Sequence, residues 1–374
     1  MTPEAPYPKI GGGALRAASI YEYLLRRHHV DVITFREDSR AVTLPGARDV
    51  LILDLPYHPK STLARVRRNL RRGVSGRPPL IDRYSGFDGR VADWLSRRHY
   101  EFAVVEHFWC APYANVLRPH VKRLVLDLHN IESALQTTMA AAVSWPLSLL
   151  LRRFGEGYSR LEDKWLPHYD DVLVASGEDA RRVAAGRVTV YPNTIPRMEQ
   201  PSLAREHAIV FTGNLEYEPN VSAVRWFARE VWPLVRKRDA ELEWRLIGGN
   251  AHAIEGYTRR LDGLKIVGRV PDAAGQIARA KAAVVPLLAG SGTRFKILEA
   301  WATATPVVST TIGAEGLGAV HERHLLIADH PADFAEAVLR VVRSPGELGP
   351  NGRELYLARF TNESGWRVLE DLGL

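Results

Sequence analysis

Residues 290–299 read GSGTRFKILE and follow the apolar run AAVVPLLA at 282–289. A buried strand that passes through small residues into a helix start is a device for meeting anions. The first amides of a helix lack intrahelical acceptors, and the helix dipole concentrates partial positive charge there. Glycine lets a phosphate approach that backbone closely. Arg294 and Lys296 stand at the same turn as full charges, and Glu299 follows on the helix. The stretch is equally an ordinary strand-to-helix connection, the arginine and lysine solvated cations and the glutamate a carboxylate favoured by the dipole. Alone it leaves both readings open.

Other polar residues follow apolar runs in the first half. VVEHFWCAPYA (104–114) carries His107 at a strand end, and DLHNIES (127–133) carries His129, Asn130 and Glu132. A lone histidine is ordinarily structural, and Asn130 fits a helix N-cap. A glycine triplet, Gly11–Gly13, precedes a helical pattern, and Gly213 ends the run AIVFTG as a close-approach glycine. There is no paired-aspartate DxD cluster for a metal. The single cysteine, Cys110, excludes a disulfide framework and a cysteine-built metal site.

The elements that position these residues alternate. Runs at 30–35, 50–55, 102–107, 123–129 and 171–176 read as strands, with helical patterns at 14–27 and 90–98. The scheme repeats with strands at 208–213, 243–249, 264–270, 282–288 and 305–310, and helices at 221–238 and 295–303. Such alternation predicts parallel sheets with helices on both faces. YPNTIPRMEQPSL (191–203) breaks the pattern with three prolines and reads as a linker. The fold class expected is α/β, two Rossmann-like domains facing an interdomain cleft, with ligands beyond the carboxyl ends of the strands. A Rossmann-like half opens on a central strand, whereas this chain opens on MTPEAPYPKIGGG, already a loop. The expectation is therefore that the first strand is missing here and lies upstream.

Charge narrows the partners. Lys and Arg outnumber Asp and Glu 50 to 43, giving a net charge of +7. RVRRNLRRGVSGR (65–77) holds six arginines. A solvated face is the plain reading of this segment, and anionic lipid is the second. Nucleic acid is not expected, because the segment lacks aromatic residues that could stack on bases. No apolar run reaches the roughly eighteen residues of a membrane span, and the start has no signal-peptide pattern. A cytoplasmic protein, peripheral at the inner membrane face, is the expectation.

GSGTRFKILEAWATATPVVSTTIGAEGL (290–317) resembles the donor-binding segment of retaining GT-B glycosyltransferases of family 4. FTGNLEYEPNVSAVRWFAREVWPLV (211–235), DLHNIES (127–133) and APYPKIGGGALRAASIYEYL (5–24) resemble further segments of that family in the expected order. The resemblance implies a nucleotide-sugar donor held mainly by the second domain and a glycan, lipid-linked or small-molecule acceptor held mainly by the first. It implies no cofactor beyond the donor substrate, and metal independence. Glu299 would bind the donor ribose; the family's partner glutamate eight positions earlier falls on Ser291. The family's basic pair after the first strand of the second domain falls near Asn214 and Pro219, so Arg294 and Lys296 would supply that charge. His107 would lie at the cleft floor near the donor sugar, with His129, Asn130 and Glu132 close by. Gly12, Gly13, Gly213, Asn214, Ser291, Gly292 and Thr293 complete the expected donor site.

The domains expected are 1–195 for the acceptor, 196–206 as linker, 207–352 for the donor, and a helical end at 353–374 reaching back to the first domain. A nucleotide-sugar epimerase of the same fold and a non-catalytic nucleotide-sugar-binding module are the competing readings.

Overall fold

The computed structural model describes residues 1–9, 11–37, 41–56, 78–141, 143–289 and 294–374. The arginine-rich segment 65–77 and Ser291, Gly292 and Thr293 lie outside the described residues. The chain divides into two compact units, Met1–Pro192 with Trp366–Leu374, and Asn193–Gly365.

In the first unit β1 (Asp31–Arg36) pairs in parallel with β2 (Asp49–Asp54). A second parallel sheet runs in the order β3 (Tyr100–Glu106), β4 (Val121–Asp127), β5 (Asp171–Val174), β6 (Val188–Val190). Met1 and Thr2 lie between the two sheets: the Thr2 amide donates to Ile33 O at 2.9 Å and the Glu106 amide to Met1 O at 2.8 Å. The central strands are apolar on both faces because helices cover both. On one face Ile20, Tyr23 and Leu24 of helix Gly12–Leu25 pack with Val125, Leu173, Trp366 and Leu369. On the other, Leu124 and Leu126 meet Val91, Leu95, Phe108 and Tyr158. The last helix, Asn362–Asp371, is tied into this unit by Trp366, whose indole donates to Ser19 O at 2.9 Å.

The second unit is one six-stranded sheet, β7 (Glu206–Thr212), β8 (Glu243–Ile247), β9 (Leu264–Gly268), β10 (Ala280–Val285), β11 (Val307–Ser309) and β12 (Leu326–Ile327), in the order β12-β11-β10-β7-β8-β9. Its described pairings are all parallel. The chain builds outward from β7 through β8 to β9, then returns to the other side of β7 with β10. The strand order thus reverses between β7 and β10, and loops leaving their carboxyl ends diverge there to open a crevice. Buried Trp232, Trp244 and Phe227 fill one face of the core.

Candidate functional site

The sequence-expected residues gather at two places, one in each unit. In the second unit they flank the point where the strand order reverses. Gly213 directly follows β7 with φ +146°, a conformation that suits glycine. A Cβ there would stand 2.8 Å from Asn220 Nδ2 and 3.2 Å from Lys296 Nζ. Lys296 lies in the first turn of helix Phe295–Ala302, and its ammonium donates to Asn220 Oδ1 at 3.1 Å. Burial lowers the Lys296 pKa to about 8 against the opposing pull of Glu299. Glu299, one turn on, accepts from Thr212 Oγ1 at 3.4 Å, and burial raises its pKa. Lys296, Glu299, Thr212 and Gly213 therefore form one group around the end of β7.

Two expected donor-site residues are engaged elsewhere as well. Asn214 Oδ1 accepts from the Glu216 amide at 3.1 Å and from Asn250 Nδ2 at 3.0 Å, which shapes the loop after β7. Arg294 directly precedes the helix, is buried, and donates to Ile312 O at 3.3 Å, joining the helix start to the turn Thr311–Ala314.

In the first unit His107, His129, Glu132 and Gly13 come together around a buried ion-pair network. His107 directly follows β3 with φ +64° and ψ 140°, a strained backbone for a residue with a Cβ, of the kind that clusters at functional sites. Its amide donates to Asp127 O at 2.9 Å. The ring stacks on Trp109, with centroids 4.3 Å apart, and lies 3.5 Å from the His129 ring. A Cβ on Gly13 would stand 3.6 Å from both His107 Nε2 and His129 Nδ1, so both nitrogens face the start of helix Gly12–Leu25. Gly12 opens that helix.

The two histidines carry opposite protonation tendencies. Burial drives the His107 pKa well below its ordinary value, and the charge on His129 adds to this. Burial would also lower His129, but Asp127 and Glu106 outweigh it and raise its pKa. His129 Nε2 lies 2.9 Å from Glu106 Oε2 and 3.3 Å from Asp127 Oδ2. Asp127 is held by Arg16 through a two-pronged contact, Nε to Oδ2 at 2.8 Å and Nη2 to Oδ1 at 2.5 Å. Burial opposes the charge on Asp127, yet Arg16 and His129 keep its pKa below the usual carboxylate range. Burial and the neighbouring Asp127 raise Glu106. Glu132 accepts from Trp109 Nε1 at 3.1 Å, and burial together with Glu162 lifts its pKa to about 8. Asn130 sits between β4 and the helix Glu132–Ala141.

Glu106, Asp127 and His129 could offer three ligand atoms within 4.8 Å of one another, the metal-like group found among the described residues. Both oxygens of Asp127 already accept from the Arg16 fork, so a cation would have to displace a buried guanidinium. The donor set fits an internal salt network better than a metal cage.

Residues 206–344, within the second unit, match the model of the family described as glycosyl transferases group 1. The second unit belongs to that family. A curated relative, an uncharacterized 44.6 kDa protein in the cps region of Klebsiella pneumoniae, is 27% identical to this chain over 139 residues. That match covers 35% of this chain and 36% of the relative, about a third of its length. Sucrose-phosphate synthase from Thermosynechococcus elongatus has a similar structure, with a TM-score of 0.76 at 19% identity over 100% of this chain and 97% of its own. Anabaena HepE in complex with UDP-glucose gives 0.65 at 13% identity over 100% and 98%. These likenesses show the fold, which is GT-B.

Five residues of these two groups escape a reading of the sequence: Thr212 and Asn220 beside Lys296, and Arg16, Glu106 and Asp127 beneath His129. Asp127, Glu106 and Thr212 each end a strand and carry a local signal, whereas Arg16 and Asn220 lie on helices and carry none.

Proposed function

We propose that the protein is a retaining glycosyltransferase that moves a sugar from a nucleoside-diphosphate sugar, bound by the second unit, to an acceptor hydroxyl bound by the first. The observation that carries this reading is the grouping of Gly213, Lys296 and Glu299 at the reversal of strand order, where open parallel sheets bind nucleotides. Gly213, lacking a Cβ, lets Asn220 and Lys296 pack directly on the backbone at the end of β7. Lys296 and Arg294 would meet the diphosphate, and Glu299 the ribose. The UDP-glucose held by HepE is a donor of this chemical class.

In the transfer step the bond from the anomeric carbon to the diphosphate breaks, and the acceptor oxygen bonds from the same face. The acceptor proton passes to a phosphate oxygen of the leaving diphosphate. The protein's part is to position both substrates and stabilise the negative charge that develops on the diphosphate. Arginine and lysine can supply that charge without a metal ion. Neutral His107 would act on the donor sugar by hydrogen bonding, with His129 behind it as a cation.

We also infer an anionic membrane surface as the place where the acceptor is met, on the cytoplasmic side. Trp145, Leu147 and Leu149 are 78%, 49% and 62% exposed, and exposed Arg152 and Arg153 follow them on the same segment. An apolar tip beside basic residues suits a lipid interface, and the arginines of 65–77 add to the positive charge of the chain. Among the described residues no helix is long and apolar enough to cross a membrane.

The test is a panel of nucleotide sugars read by thermal shift, followed by turnover of the stabilising donor with candidate acceptors. His107→Ala should leave donor binding intact and lower turnover by about 100-fold. A panel in which no nucleotide sugar raises Tm would remove the proposal.

A further inference from the structure

A histidine at a working site is ordinarily oriented through its rear nitrogen, by a hydrogen bond to a carbonyl or carboxylate. In His107 that nitrogen, Nδ1, is buried and has no hydrogen-bond partner among the described residues. Nε2 faces the start of helix Gly12–Leu25. Rotation of an imidazole about its Cβ–Cγ bond is broad and only two-fold, so the plane of this ring has to be fixed from its faces. Two rings lie against it. His129 has its centroid 3.5 Å away with planes 30° apart, and Trp109 lies at 4.3 Å and 13°. His129 is pinned by Glu106 and Asp127.

Trp109 is pinned as well, on a face and on an edge. The ring of Tyr84, at the end of helix Pro79–Tyr84, lies parallel to the indole within 4° at a centroid distance of 5.8 Å. Tyr84 is itself fixed. Its ring meets Phe35 edge-on at 5.1 Å, and its carbonyl accepts from Tyr113 Oη at 2.6 Å. Glu132 holds the indole edge, accepting from Nε1 at 3.1 Å. That N–H is the one polar handle of a tryptophan, so this bond stops the indole from sliding in its own plane. Glu132 opens helix Glu132–Ala141 and is 3% exposed. The same turn is anchored by Glu162, which accepts from the Ser133 amide at 3.1 Å and its hydroxyl at 2.5 Å. So enclosed, Glu132 reaches the site through Trp109 and not by touching a substrate.

We propose, on the reading that His107 meets the donor sugar, that Trp109 and Glu132 are positioning residues that set the plane of the His107 ring. Glu132 fixes the indole, the indole fixes the imidazole, and Nε2 is thereby aimed past Gly13. A hydrogen bond aimed wrongly loses its worth in the transition state first. Both residues should therefore govern turnover and leave donor affinity alone.

The test joins a kinetic cycle to a spectrum that needs no turnover. Trp109→Leu and Glu132→Leu should each lower kcat about tenfold and change the donor KM less than about twofold. Added to His107→Ala, Trp109→Leu should cost nothing further, because residues that act through one group are not additive. A further tenfold loss in that double variant would overturn the proposal, as would an unchanged kcat in Trp109→Leu. If Trp109→Leu does not fold, Glu132→Leu carries the same cycle. Glu132→Gln should recover most of the lost turnover, since its amide oxygen still accepts from the indole; no recovery would overturn the proposal. In protein with isotope-labelled histidines, the His107 ring protons are the signals missing from His107→Ala. They should lie upfield in the shielding region of the indole and move downfield in Trp109→Leu and Glu132→Leu. Unmoved signals would overturn the proposal. Signals that move in a protein that no nucleotide sugar stabilises would keep the ring stack and remove only the transferase reading.

Discussion

Lys296 Nζ and Asn220 Oδ1 meet at 3.1 Å beside the bare backbone of Gly213. The amide oxygen holds the ammonium at the end of β7 in a setting that lowers its pKa to about 8. The proton on Lys296 is therefore within reach of ordinary buffers.

Diphosphate binding should depend on that proton. A bound diphosphate favours the charged amine, so affinity for UDP or GDP should be highest below pH 8. It should fall as pH rises through the free-enzyme value, by up to about tenfold per unit before levelling off. Titration calorimetry from pH 6.5 to 9.5 measures this, and Lys296→Met should bind weakly with a nearly flat profile across that range.

Stability should carry the mark of the buried acids. Glu132 has a folded pKa of about 8, against about 4.3 in an unfolded chain, and His129 is raised as well. Both groups hold more protons in the folded state, so stability falls as pH rises through this range. His107 is lowered and works the other way, but only below about pH 6.5, where an unfolded histidine takes up its proton. Between pH 6.5 and 8 the denaturation midpoint should therefore decline, with Glu132 contributing about 1–2 kcal/mol. Glu132→Gln should flatten that slope.

Breaking the Arg16–Asp127 pair should cost more than any surface change. Arg16→Met leaves a buried carboxylate without its guanidinium, an effect of about 3–5 kcal/mol. Urea unfolding of the variant should show it. A loss below about 1 kcal/mol would mean that His129 alone satisfies Asp127.

Local chemistry made part of this site readable in the sequence. The run into GSGTR announces a strand, a turn and a helix start, so Lys296 and Glu299 can be named without a structure. His107, His129 and Glu132 stand out because they follow apolar runs at strand ends. Arg16 gives no such sign, since it lies on a helix that looks merely amphipathic. Its partner is 111 residues away, and only the packing of helix Gly12–Leu25 against β4 makes the pair. Asn220 is hidden for the same reason, 76 residues from Lys296. The alternation of strands and helices gives the sheet class, whereas the order β12-β11-β10-β7-β8-β9 depends on where the chain reverses. The short strands β6 and β12 leave too little pattern to read.

Vesicle binding should need both the apolar tip and the charge. Trp145→Ser with Leu149→Ser should cut co-sedimentation with phosphatidylglycerol vesicles by about tenfold, each lost apolar contact being worth on the order of 1 kcal/mol or more. High salt should weaken the wild-type interaction. Equal binding to phosphatidylcholine vesicles would contradict a role for anionic lipid.

The central claim is that the group at the reversal of strand order holds a nucleoside diphosphate, with Arg294 on the phosphates and Glu299 on the ribose. Calorimetry with UDP or GDP and with the matching nucleoside tests it most directly. Arg294→Ala should weaken the nucleotide by about tenfold to a hundredfold, the loss of a charge-assisted hydrogen bond, and leave the nucleoside unchanged. Glu299→Gln should weaken both ligands by the same factor. Equal loss of nucleotide and nucleoside in Arg294→Ala, or no loss in either variant, would contradict the account.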